Sequence, residues 1–179
     1  MKNFVLFLTL FRVFAGPLIF FLALIYDAYL LALLLFLVAS ISDFFDGKLA
    51  RSYSVESALG AILDPIADKI LILFALFTIT FITKDPFVGG MSVLMLAREF
   101  WVSGLREYAG QSFKVDATKV TFLAKVKTTI QFLAISVLLL GMGINSALII
   151  FLASFLLFLA LLISLKTAID YSVKLFKTE

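Results

Sequence analysis

The chain contains no cysteine and no histidine. The first absence removes disulfides, thiolate nucleophiles and sulfur-ligated metal; the second removes the commonest imidazole base and transition-metal ligand. Any bound metal must therefore sit among oxygen donors, which favours magnesium, manganese or calcium. Proline is nearly missing, with three residues in 179, and only 15% of the chain is charged. Apolar residues fill the space instead: 63% are hydrophobic and mean hydropathy is +1.15, against roughly 45–50% apolar usage in soluble domains. Such a chain belongs in a bilayer, with length for about six crossings of about 20 residues each and no room for an extramembrane domain.

Apolar runs lie at 4–26, 29–45, 58–82, 87–105, 120–142 and 146–163. They are too long and too continuous for barrel strands, and backbone hydrogen bonds in lipid must close internally, so the expected fold is an all-α bundle of six transmembrane helices. The first run follows a lysine but has no clear small-residue cleavage site before Asp27, so it is read as a retained span. Gly60, Ala61, Ala67, Ala97 and Ser103 are candidates for close helix contact. Six crossings put both termini on one side, and every lysine and arginine except Lys84 falls on that side, which the positive-inside rule makes cytoplasmic. The whole of 1–179 reads as one membrane domain, with 166–179 as an amphipathic interfacial tail on the cytoplasmic side.

Several charges fall inside or at the edges of these runs: Arg12, Asp64, Asp68, Lys69, Arg98, Lys125 and Lys127. A charge at mid-span costs at least ~2.5 kcal/mol on insertion scales, so such residues face a cavity or one another. All of them lie toward the cytoplasmic ends and outline one polar chamber open to that side. Within it, Asp43 and Asp46 are three apart on the second helix, while Gly60, Asp64 and Asp68 follow at four-residue steps on the third. The short connection makes the two helices antiparallel neighbours, so four carboxylates converge at one depth. They would resist common ionisation unless cations lay between them, and one or two Mg²⁺ or Mn²⁺ ions bridging to a diphosphate is the sensible occupant. Gly47 and Gly60 leave room for something flat against the backbone, and Arg51 offers a fork for phosphate oxygens. The bland alternative, interfacial salt bridges to Lys48, Arg51 and Lys69, does not account for the glycines or the spacing.

The pattern Asp43-x2-Asp46-Gly47-x2-Ala50-Arg51-x8-Gly60-x3-Asp64-x3-Asp68 resembles the signature of the CDP-alcohol phosphatidyltransferase family at every fixed position. The resemblance implies a six-helix enzyme in which Asp43, Asp46 and Asp64, with Asp68 at the edge of the site, hold two divalent ions against the diphosphate of CDP-diacylglycerol. It further implies that Asp68 is the general base. Asp46, Gly47, Ala50, Arg51 and Gly60 would contact the lipid nucleotide.

Further segments, around Thr9 and Arg12, Arg98 and Glu99, Arg106 and Glu107, and 124–129, look like the bacterial members of that family that use sn-glycerol 3-phosphate as acceptor. That likeness implies phosphatidylglycerophosphate and CMP as products, a place in phospholipid biosynthesis at the bacterial inner membrane, and a homodimer. The segment before Leu8 departs from those relatives by lacking a Pro-Asn pair. The basic residues make independent sense, because a near-dianionic acceptor needs cationic forks. Thr9, Arg12, Arg98, Arg106 and Lys127 are the candidates to hold its phosphate. Arg98 and Arg106 are separated by about 80° of helix turn, whereas Lys125 and Lys127 differ by about 200°, so Lys127 is preferred over Lys125. Snorkelling to headgroups is the alternative for each. Glu99 either orients the neighbouring arginine or forms a surface pair.

Two rivals are weighed. Other acceptors, such as inositol phosphate, serine or phosphatidylglycerol, would use the same chemistry. An ion- or metal-coupled carrier would bury carboxylates too, but would place them near mid-membrane with matched features in both halves. No nucleic-acid partner is expected.

Overall fold

The computed structural model describes the backbone of residues 2–53, 58–111 and 122–177, and the side chains of 6–42, 60, 62–111 and 122–177. These residues form six helices: α1 Lys2–Ile25, α2 Tyr29–Tyr53, α3 Ala58–Thr83, α4 Pro86–Gln111, α5 Phe122–Gly143 and α6 Ala147–Lys177. The described residues contain no strand. The apolar runs locate every helix, but α2, α4 and α6 continue well past the ends of those runs where the cations lie. Hydropathy ends where the lipid environment ends, while a helix continues as long as its backbone bonds are satisfied.

Helices α1, α3, α5 and α6 are long and apolar enough to cross a membrane, over Leu6–Ile25, Ile62–Thr83, Phe122–Gly143 and Ala147–Phe176, and α2 contributes the shorter apolar stretch Tyr29–Ser42. The connections opposite the cationic end are tight. Asp27, Lys84 and Asn145 each take positive φ, closing α1, α3 and α5. After α5 the Ser146 amide donates to the Gly141 carbonyl (2.9 Å) and the Asn145 amide to that of Met142 (3.1 Å), a Schellman closure. Asp85 then caps α4 by accepting from the Phe87 amide (2.8 Å), with Pro86 in the first helical position, where its missing N–H costs nothing.

The core is built from stripes in which small and large residues alternate one turn apart: Ala15, Ile19 and Ala23 on α1, Ala67, Leu71 and Ala75 on α3, Ala153, Leu157 and Ala160 on α6. Alanine lets helices approach, and the larger residue fills the gap between turns. Helices α1 and α3 approach closely at Gly16, where a Cβ would stand 3.2 Å from the Ile70 carbonyl oxygen and 3.2 Å from the Phe74 ring. As a result α1 lies against both α2 and α3, and α2 meets α3 only over a short stretch among the described residues. The two aspartate-bearing helices are thus less intimate neighbours than a short loop suggests; α1 shares the space between them. Ala97 is exposed rather than at a helix contact. Phe7, Phe14 and Phe21 line the outside of α1, as Phe151 and Phe155 line α6, where lipid tails would meet them.

Residues 166–177 continue α6 without a break. Ala168, Tyr171 and Leu175 pack there with Val102, Leu105 and Ala109 of α4 in a second, smaller apolar cluster.

Candidate functional site

Two groups of polar residues gather at the cationic end. The first joins α1 and α3. Thr9 and Arg12 lie on one face of α1 and are fully buried. The Thr9 hydroxyl donates to Asp64 Oδ1 (2.7 Å), Arg12 Nη2 donates to the same oxygen (3.2 Å), and Arg12 Nη1 donates to Asp68 Oδ1 (2.5 Å). The carboxylates are 38% and 46% exposed, so a buried cation underlies two anions that face an opening. An arginine with no exposed surface is tolerable here because its charge is met by two carboxylates at hydrogen-bonding distance.

The second group joins α4, α5 and α6. Arg98 and Lys127 are buried, at 7% and 4% exposure, and Glu99 Oε1 accepts from both, from Arg98 Nη1 at 3.4 Å and from the Lys127 ammonium in close contact. From the other side, Arg98 Nε donates to the Ser164 carbonyl (2.9 Å) and Nη2 to Thr167 Oγ1 (2.6 Å). Arg106 lies over the Tyr171 ring, 5.6 Å from its centroid. Arg98, Arg106, Lys125, Lys127, Thr128 and Thr129 line a pocket of about 340 Å³.

A narrow crevice has lining residues from both groups: Asp68, Lys69, Leu96, Glu99 and Phe100 line it together. Lys69 donates across it to the Ser103 hydroxyl (2.5 Å) instead of pairing with an aspartate. Ser103, expected as a small contact residue, is therefore a hydrogen-bond partner.

Of the residues singled out by sequence, Asp64 and Asp68 share Arg12, while Arg98, Arg106 and Lys127 share the basic pocket. Thr9 and Arg12, grouped beforehand with those cations, stand with the aspartates instead. Gly60 is buried at the start of α3. The side chains of Asp43, Asp46, Gly47, Ala50 and Arg51 lie outside the described residues. Among the described residues, no three acidic groups meet at one point. Sequence reasoning missed Ser164 and Thr167. The available signal was two hydroxyl residues three apart on the buried stripe of an otherwise apolar helix.

Residues 3–166 match the family model for CDP-alcohol phosphatidyltransferase, and the chain belongs to that family. Divalent-metal dependence is general in it. A protein of Cereibacter sphaeroides is 50% identical over 115 residues, covering 64% of this chain and 51% of that protein. One from Rickettsia typhi is 45% identical over 143 residues, 79% of this chain and 78% of that one. One from Escherichia coli K12 is 39% identical over 135 residues, 74% of each. All three are named CDP-diacylglycerol–glycerol-3-phosphate 3-phosphatidyltransferase. The alignment thus spans about half the length of the first relative.

Proposed function

We propose that this chain transfers the phosphatidyl group of CDP-diacylglycerol to sn-glycerol 3-phosphate, releasing CMP and phosphatidylglycerophosphate. The observation that carries the reading is the pair of polar groups at one end of the bundle: Asp64 and Asp68 on a shared arginine, and a pocket lined by four cations, two of which are held by Glu99, a residue that lines a crevice with Asp68. A diphosphate needs the first and a phosphorylated alcohol the second. The names borne by the three relatives support the same pair of substrates.

The donor set suits a hard cation, since it consists of oxygen alone and already accommodates one positive group, the Arg12 guanidinium. Asp64 and Asp68, with Asp43 and Asp46, are the residues to hold Mg²⁺ or Mn²⁺, two ions in this reading. Bound there, the metal supplies charge neutralisation of the diphosphate and of departing CMP. The rest falls to the chain. Gly47, Ala50, Arg51 and Gly60 seat the lipid nucleotide. Arg98, Arg106 and Lys127 hold the acceptor phosphate so that its free hydroxyl oxygen lies in line with the phosphatidyl phosphorus. As that oxygen bonds to phosphorus, the phosphoanhydride bond to CMP breaks and the hydroxyl proton passes to the Asp68 carboxylate. All six helices cross the inner membrane with this end in the cytoplasm, and a second copy of the chain completes a homodimer.

The test is CMP release from CDP-diacylglycerol by the purified protein. Release should require both glycerol 3-phosphate and a divalent ion, and stop with chelator. Asp68→Asn should retain lipid-nucleotide binding while turnover falls about 10²–10⁴-fold. Wild-type turnover in that variant removes Asp68 from the base role, and product with serine but not with glycerol 3-phosphate overturns the acceptor.

A further inference from the structure

We infer that Glu99 is a positioning residue for the acceptor: its carboxylate fixes the separation of the Lys127 ammonium and the Arg98 guanidinium, and thereby the cradle into which a phosphate dianion fits. The inference rests on the function proposed above.

One oxygen, Glu99 Oε1, accepts from two buried cations on different helices, α4 and α5. Without it, a guanidinium and an ammonium would face each other in a water-poor site, and the Lys127 ammonium would lose the contact that holds it beside Arg98. The other side of Arg98 is tethered to α6 through the Ser164 carbonyl and Thr167 Oγ1, which itself donates to that carbonyl at 2.8 Å. Each guanidinium nitrogen is thus engaged once, at Nε, Nη1 and Nη2. A guanidinium has five N–H donors and an ammonium three, so two on Arg98 and two on Lys127 remain for a ligand, and their directions are set by the tethers. Fixed forks of this kind give phosphate binding its geometry.

Charge neutralisation alone does not explain the arrangement. The pocket lining carries Arg98, Arg106, Lys125 and Lys127, and the single carboxylate Glu99 leaves it strongly cationic. Glu99 also lines the crevice that contains Asp68, so the residue that holds two cations of the pocket lies beside the reacting carboxylate.

The experiment compares Glu99→Ala, Glu99→Gln and the wild type in steady-state kinetics with each substrate varied separately. Glu99→Ala should raise KM for glycerol 3-phosphate about 10–100-fold, the worth of one charge-assisted contact, while KM for CDP-diacylglycerol stays within about twofold. Glu99→Gln keeps an acceptor oxygen and should recover most of the loss. Thr167→Val, which removes one of the two α6 tethers of Arg98, should shift the same KM without touching the carboxylate, and serves if the Glu99 variants fail to fold. An unchanged acceptor KM in Glu99→Ala, equal defects in Ala and Gln variants, or parallel rises in both KM values with lowered thermal stability would overturn the positioning role. Absence of product from the wild type with glycerol 3-phosphate would instead sink the underlying function; the Glu99 ratio is then measured with whichever phosphorylated alcohol gives product.

Discussion

Arg12 shows how a residue can be singled out by its position in the sequence while spacing leaves its partners open. Its charge within an apolar run marks it as functional, and its three-residue offset from Thr9 puts both on one face. Which partner that face meets depends on how α1 packs, and periodicity is silent on packing. Buried beneath two carboxylates, Arg12 supplies the counter-charge that lets Asp64 and Asp68 lie one turn apart on the same helix. Arg12→Met keeps the volume and removes that charge. It should destabilise the protein by about 1–3 kcal/mol, below the usual ~3–5 for a broken buried pair because both aspartates are partly solvated. Added Mg²⁺ or Mn²⁺ should then raise the midpoint of thermal unfolding more in the variant than in the wild type. Equal shifts in the two proteins would show that the guanidinium and the divalent ion do not occupy the same field. The acidic spacing itself was fully legible, because carboxylates at four-residue steps have few structural uses in a membrane.

Among the helices, α1 and α3 depend on a point of contact that no hydropathy profile records. Gly16 faces the Ile70 carbonyl, and backbone cannot yield as a side chain can. Gly16→Ala should therefore push the pair apart at a cost of about 1–3 kcal/mol, as overpacking does, and displace Arg12 relative to Asp68 one turn away. Thermal unfolding and CMP release should fall together; a variant with wild-type values of both would show that the contact relaxes freely. The run boundaries were legible at the capped end, where Asp27, Lys84 and Asn145 announce the turns. They were not legible at the other end, where α6 passes the end of its continuous apolar run and continues as a helix to Lys177. There the stabilising partner is α4, and tertiary packing overrides the local pattern.

At the scale of the molecule, six helices and the family could both be read from residue order. The depth of the basic pocket could not, because it is assembled from α4, α5 and α6, whose contributing residues are separated by up to 69 positions, as Arg98 and Thr167 are. The proposed orientation of the bundle rests on the cation count and has a direct test in a chain that is free of native cysteine. Single cysteines placed at Lys84 or Asn145 should react with an impermeant maleimide added outside intact cells. One at Lys174 should react only after the membrane is breached. The opposite pattern would invert the topology.

Helix α6 runs for 31 residues, about 46 Å, some 16 Å more than the hydrocarbon it has to traverse. Thr167 rides on that surplus and grips Arg98. Under the proposed function, a bulky fusion placed on the last turns should therefore loosen the hold of Thr167 on Arg98 and weaken acceptor binding.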